Sequence, residues 1–285
     1  MLEHVLNIVT TSGIFFIVAI GLLIVLTIMN VVNLAHGAFM TIGGYTAFVV
    51  SQRGGNQWLS LALAPLVGFG VGLITERLLI RRLYGRPLDT ILATWGFAMV
   101  ITQLIATQFG RGAQFVTDAI WQNPIALGNL YYSQYRLALL VVAILILAAL
   151  VALTKFSSAG VIARAVIMNP DLARALGINT VRVNAITFAV GSAFAAFAGA
   201  LIVPMSSVDP NMGTPWVITA FMVVLAGGPS VPAIFLGALL LAAAQVLSTY
   251  YLSPVAGNLA VIIIPMLIMR FMPDGLMTIL PKRFE

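Results

Sequence analysis

The stretch Ile14-Phe-Phe-Ile-Val-Ala-Ile-Gly-Leu-Leu-Ile-Val-Leu-Thr-Ile-Met-Asn-Val-Val-Asn-Leu-Ala-His-Gly37 decides the architecture. It belongs to an uncharged apolar run over 12 to 32, about the 20 residues that a helix needs to cross a bilayer. Asn30, Asn33 and His36 then follow, and apolar sequence resumes at 36 to 50 with no hydrophilic loop between. This reads as a helix broken at membrane depth. Such a break survives only where protein or a water-filled cavity covers the freed backbone groups.

Further apolar stretches run over 59 to 79, 91 to 109, 137 to 154, 183 to 203, 217 to 226, 233 to 250 and 258 to 271. Hydrophobic residues make up 61% of the 285 positions and charged residues 8%, so the bilayer is the main solvent. The expected fold is an all-α integral membrane protein. We read a polytopic bundle of about 8 to 9 transmembrane segments that includes broken or re-entrant helices, forming a single transmembrane domain over 1–285. Met1-Leu-Glu-His lacks a basic leader and no small-residue cleavage site follows, so the first apolar run reads as an uncleaved helix.

The segment 217 to 226 is too short to span comfortably, and it meets its successor through Gly227-Gly-Pro-Ser-Val-Pro232. Interruptions in both halves of such a chain point to a transport pathway. Arg77, Arg81, Arg82 and Arg86, then Lys155, Arg164, Arg174 and Arg182, then Arg270, Lys282 and Arg283 form three basic clusters. Positive loops face the cytoplasm. This predicts an inside C-terminus, an outside N-terminus, outer loops over 51 to 58 and 110 to 136, and a pair over 217 to 250 that enters and returns.

The net charge of +6 follows from those loops rather than from nucleic-acid binding, which is not expected. Without cysteine there is no thiolate chemistry. The chain has only two histidines, His4 and His36, and carries neither H-E-x-x-H nor G-x-S-x-G, so no catalytic residue, no metal site and no enzyme is expected. No phosphate-binding G-x-x-x-x-G-K-[ST] occurs, so ATP would be used by another chain and no cofactor is bound by this one. Every acidic residue lies in a loop or near a segment end, which argues against coupling to an ion gradient through buried acids.

Polar residues within the apolar stretches are candidates for a substrate pathway: Asn30, Asn33, His36 and Gln103, with Gly227 and Gly228 at the second interruption. Asn30, Asn33 and His36 fall in one arc of about 120 degrees on a helical projection. They either line a cavity or satisfy the backbone groups of the break. Gln103 and Gln245 suit interhelical hydrogen bonds, and Glu76 suits an interfacial ion pair with Arg77 or Arg81. Gly68/Gly72 and Gly191/Ala195/Gly199 place small residues at four-residue spacing for close helix packing.

The longest basic loop, from Lys155 to Arg182, carries its own helix signals. Asn169 suits an N-cap, Pro170 a first helical position, Asp171 the positive helix end and Gly177 the stop. A short surface helix at about 170 to 176 is predicted. It either lies on the membrane surface or docks in a partner's groove, and the docked reading is favoured.

Asn30-Val-Val-Asn-Leu-Ala-His-Gly-Ala-Phe-Met-Thr-Ile-Gly-Gly-Tyr45, Ala163-Arg-Ala-Val-Ile-Met-Asn-Pro-Asp-Leu-Ala-Arg-Ala-Leu-Gly-Ile-Asn179, Thr187-Phe-Ala-Val-Gly-Ser-Ala-Phe-Ala-Ala-Phe-Ala-Gly199 and Met272-Pro-Asp-Gly-Leu276 resemble the permease subunits of branched-chain amino acid ABC importers. The resemblance runs end to end. It implies a second permease subunit, two cytoplasmic ATP-binding subunits, a periplasmic substrate-binding protein and an inner-membrane location. It also implies that 169 to 177 is the coupling helix, with Arg164, Asn169, Pro170, Asp171, Arg174 and Gly177 in ATPase coupling. The expected cargo is branched-chain or other hydrophobic amino acids. Leu92-Ala-Thr-Trp-Gly96, Gln103, Val208-Asp-Pro-Asn-Met-Gly213 and Ala220-Phe-Met-Val-Val-Leu-Ala-Gly-Gly228 also resemble the urea and short-amide branch, which stays open, as does a passive channel or carrier without ATPase.

Overall fold

The computed structural model describes residues 2–116, 124–127, 130–272 and 275–276. Lys282 and Arg283 of the third basic cluster, and Pro273 and Asp274 of the C-terminal motif, lie outside them. The elements run α1 (Leu2–Met29), α2 (His36–Gln52), α3 (Gln57–Leu78), α4 (Pro87–Phe109), β1 (Pro124–Leu127), β2 (Leu130–Ser133), α5 (Gln134–Phe156), α6 (Ser158–Met168), α7 (Pro170–Ala175), α8 (Thr180–Ile202), α9 (Gly213–Gly227), α10 (Val231–Tyr251) and α11 (Pro254–Phe271). Short 3-10 turns occupy Ile80–Leu83 and Val203–Met205.

Among the described residues, seven helices are long and apolar enough to cross a bilayer: α1, α3, α4, α5, α8 with the turn that follows it, α10 and α11. The chain is an all-α polytopic membrane protein. The second interruption is less symmetric than a pair that enters and returns. The 15 residues of α9 reach only about 22 Å, whereas α10 is long enough to cross alone. Ser230 caps α10 by accepting from Ala233 N at 3.3 Å, and Pro232 sits in its first turn. The helix therefore starts ahead of the apolar stretch. A two-stranded antiparallel ribbon, with Pro124 opposite Ser133 and Leu127 opposite Leu130, lies in the loop between α4 and α5; composition gave no sign of it.

The break after α1 is real. Met29 ends the helix, and Asn30 takes a positive φ of 51°, the left-handed conformation that asparagine tolerates better than most residues. Helix resumes only at His36. Between them, the Asn33 side-chain oxygen accepts from Ala35 N at 3.0 Å, the Asn33 carbonyl accepts from His36 N at 3.3 Å, and Leu34 N donates to Thr94 Oγ1 at 3.2 Å. The N–H groups of Leu34, Ala35 and His36 thus find partners within the protein, as an apolar surrounding requires.

The chain divides into two compact units, each assembled from separated segments. One comprises Gly21 through α4 and its following loop, together with Leu153–Val217. Its centre is α2, α3 and α8 packed at backbone distance. A methyl group on Gly43 would lie 1.8 Å from the Ala196 carbonyl oxygen, and one on Gly199 would lie 1.9 Å from that of Met40. Gly68 and Gly72 of α3 abut Ala196 and Ser192 of α8 in the same way, so the small-residue spacings are packing faces. Over this layer Tyr45, Phe48, Val203, Val208 and Met212 form an apolar cluster, and Gln114 and Val208 exchange two backbone hydrogen bonds of 2.8 Å beside it.

The other unit holds the first part of α1 up to Ile20, the stretch ending at Ala152 and the chain from Ile218 onward. There the Tyr132 hydroxyl lies 2.7 Å from that of Thr10 and donates to Asn7 Oδ1 at 3.0 Å, which also accepts from Arg136 at 3.2 Å. Gln245 of α10 donates to Asn258 of α11 at 3.2 Å, the interhelical bond its position suggested.

Candidate functional site

The loop from Lys155 to Arg182 folds as two short helices, α6 and α7, where one was predicted. Ser157 caps α6 through Gly160 N at 3.3 Å. Asn169 stops α6 and caps α7, its Oδ1 accepting from Asp171 N at 3.1 Å and Leu172 N at 3.0 Å. Pro170 occupies the first turn. At the far end Gly177 has φ 88°, Ile178 N donates to the Ala173 carbonyl and Gly177 N to that of Arg174, each at 3.0 Å. This is the paired C-terminal closure that a left-handed glycine permits. The signals of α7 act within a few residues, so the sequence alone carried them; the cap at Ser157 and the helix it starts were not read from it.

Arg174 pairs with Asp171 at 2.6 Å on the exposed side of α7, and Arg164 donates to the Thr154 carbonyl, tying α6 to the end of α5. Ala173 is buried, while Met168, Leu172 and Leu176 are 85%, 56% and 73% exposed. An anchored helix of this kind presents an apolar rim flanked by charges. Its exposed side therefore carries both apolar and charged side chains.

Behind this loop lies a cavity of about 710 Å³. Thr27 to Val31 border it at the end of α1, Tyr84 to Pro87 and Thr90 at the start of α4, Val166, Ile167, Pro170 and Arg174 on α6 and α7, and Thr180, Val181 and Asn184 on α8. One wall rests on a buried charge. Glu76 is fully buried near the end of α3; it accepts from Arg81 at 3.1 Å and from the Tyr84 hydroxyl. Burial first, then the hydrogen bond to Glu76, pushes the Tyr84 phenol well above the ordinary tyrosine range. Asn184 also hydrogen-bonds Tyr84, and its own Oδ1 is buried without a partner among the described residues. The ion pair expected of Glu76 is made with Arg81. Arg86 adds a looser one to Asp89 at 3.9 Å.

Of the sequence candidates, Asn30 borders this cavity together with Pro170 and Arg174, and Arg164, Asn169, Asp171 and Gly177 belong to the same loop. Asn33 and His36 are buried beside the break; His36 packs so closely on Gly21 that a methyl there would lie 3.1 Å from its ring. Because Asn30–Ala35 leave the helix, the shared arc read from helical spacing does not place these three residues. Gln103 is exposed on α4 and bonds within its own helix, to Thr107 at 3.4 Å, rather than between helices. Gly227 and Gly228 lie in the other unit, where Gly227 sits against Ile234 and Gly228 turns the chain at φ 92°. Sequence reading missed Tyr84, Thr90 and Asn184. Only Asn184, a polar residue inside the 183 to 203 stretch, left a signal.

The family model described as "Branched-chain amino acid transport system / permease component" matches residues 4–270. The chain belongs to this permease family. Among curated relatives, it is similar to the high-affinity branched-chain amino acid transport system permease protein LivH of Escherichia coli strain K12, at 28% identity over 97% of this chain and 95% of that protein. LivH of Salmonella typhimurium is 27% identical, and BraD of Pseudomonas aeruginosa, of the same description, 26%; each alignment spans 97% of this chain and 95% of the relative. No solved structure matches. With such relatives and its apolar helices, the protein is a multi-pass membrane permease component.

Proposed function

We propose that this permease is the membrane subunit of an ATP-binding cassette importer that carries branched-chain or other hydrophobic amino acids. The relatives' names supply the substrate class. The observation that carries the mechanism is α7: a capped helix with an exposed apolar rim, bordering the same cavity as the break at Asn30. Two separate ATPase subunits press on α6 and α7, one beneath each permease of a pair, and a secreted binding protein delivers the solute on the opposite face. Closure of the ATPases moves α7. Because α7 and the end of α1 border one cavity, that movement biases the break between outward-open and inward-open arrangements; the ligand shifts the balance only by its different affinity for the two.

This reading places the basic loops, and with them the C-terminus, in the cytoplasm. Asn30, Asn33 and His36, with Gln103, Gly227 and Gly228, are proposed as pathway residues. Arg164, Asn169, Pro170, Asp171, Arg174 and Gly177 are proposed to hold the coupling loop in shape. The permease performs no bond chemistry, and ATP is used by its partners.

The test is uptake of labelled leucine, and separately of urea, into proteoliposomes holding the permease, with and without ATPase and binding protein. ATP-dependent leucine uptake that needs both partners supports the proposal. Preference for urea would move the substrate to the short-amide branch, and uptake without ATPase would overturn the importer reading in favour of a channel.

A further inference from the structure

A second cavity, of about 560 Å³, opens between α2, α3 and α4 of the same unit. Each helix gives it one face: Ile42, Thr46, Val49 and Val50 on α2, Leu59, Leu63 and Val67 on α3, and Ile105 and Phe109 on α4. Counted from the first residue named on each helix, the others follow at four, seven or eight positions, so these are single stripes along each helix and the slot runs parallel to the helix axes. From Ile42 to Arg53 the rise is about 16 Å, close to the roughly 15 Å of one leaflet's hydrocarbon. At the aqueous end stands Arg53, exposed just past the end of α2 as its C-cap and in no ion pair among the described residues, with Trp58 exposed nearby in the chain.

The polar groups deeper in the slot are two hydroxyls. Thr46 is satisfied by the Ile42 carbonyl at 2.8 Å. Tyr45 is 4% exposed, and its hydroxyl is buried without a partner among the described residues. No carboxylate lines the slot.

We infer that this slot binds one phospholipid, its phosphate at Arg53 and an acyl chain between the three stripes. An apolar trough of one-leaflet length ending on a cation complements a lipid in both shape and charge. The ester carbonyls between phosphate and tail are the acceptors that such an occupant offers the Tyr45 hydroxyl. A free amino acid fits less well, because its ammonium group finds no carboxylate here and its side chain fills a small part of the volume. The choice of leaflet rests on the orientation proposed above, which puts the Arg53 end outside.

Native mass spectrometry of the full-length protein purified from membranes, with the subunits that copurify, counts retained lipid during titration with phosphatidylglycerol or phosphatidylethanolamine. Leu63→Trp, which fills the slot, is expected to remove one retained lipid per chain, whereas Met99→Trp, exposed on α4 outside the slot, keeps it. Arg53→Gln is expected to weaken phosphatidylglycerol retention about fivefold. An unchanged count in Leu63→Trp, an equal fall in Met99→Trp, or displacement of the lipid by free leucine would overturn the inference. Retention is read without transport. A lipid-retaining protein that fails to import amino acids refutes only the proposed function, and an importer that retains no lipid refutes only this site.

Discussion

Asn30 and Arg174 border one cavity, the first at the left-handed end of α1 and the second on the exposed face of α7. In the importer mechanism proposed above, a displacement of α7 would reach the interrupted helix through the walls of that one space.

That relationship makes α7 the place to separate hydrolysis from uptake. In Arg174→Glu, two acidic groups replace the Asp171–Arg174 pair. The site is exposed, so the stability cost stays below about 1 kcal/mol. A glycine inserted between Asp171 and Leu172 shifts the apolar rim by one position. In both variants ATPase activity is expected to persist while uptake falls; paired hydrolysis and uptake assays check this, and full uptake in both would remove α7 from the mechanism.

The break should tolerate glycine and reject branching. Asn30→Gly keeps the positive φ freely, whereas Asn30→Val forces a β-branched residue into it at about 1 to 2 kcal/mol. Asn33→Leu removes the acceptor of Ala35 N and costs about 1 to 3 kcal/mol. Thermal unfolding in detergent ranks the three, and uptake measured on the folded fraction shows whether loss of transport exceeds loss of stability.

Helix approach around α8 predicts a sharp contrast between two identical substitutions. Gly199→Ala must push a methyl group into the Met40 carbonyl, costing about 3 kcal/mol or more. Gly70→Ala meets nothing within 4 Å and is expected to be neutral or slightly stabilising, because alanine is the better helix former. Equal melting temperatures for the two variants would contradict the packing of α2 on α8.

Tyr84→Phe leaves the buried Glu76 with Arg81 alone and is expected to cost about 2 kcal/mol near neutral pH. The phenol pKa is raised in the folded state, so the proton is held more tightly there than in the unfolded chain. Its contribution is whole below the ordinary tyrosine value of about 10 and is lost as pH rises above it. The stability gap between wild type and Tyr84→Phe should therefore be constant from pH 7 to 9, a range set by that value of about 10, and narrow only beyond it. A gap that closes as pH falls instead would assign the cost to another group.

Much of this molecule was legible before any coordinates, where the relevant physics is local. The break after Met29 and the caps at Asn169 and Gly177 each depend on a few consecutive residues meeting backbone or bilayer, whereas α10 was read as half of a pair that enters and returns and is long enough to cross alone. The ribbon of β1 and β2 was not legible, since its residues carry no period-2 signal against an apolar background. Nor was the fate of Gln103, whose partner Thr107 lies one turn along the same helix.

The sequence by itself determined that the chain lives in a bilayer, where α1 stops and that a capped helix follows α5, because run length, charge and capping act between neighbours. Only the tertiary structure decided that Glu76 is buried against Tyr84, that Gly43 meets Ala196 at backbone distance, and that Asn30 and Arg174 share a cavity. Those contacts join residues far apart in the chain, and in lipid they are chosen by close packing and hydrogen-bond satisfaction rather than by any pattern of hydrophobicity.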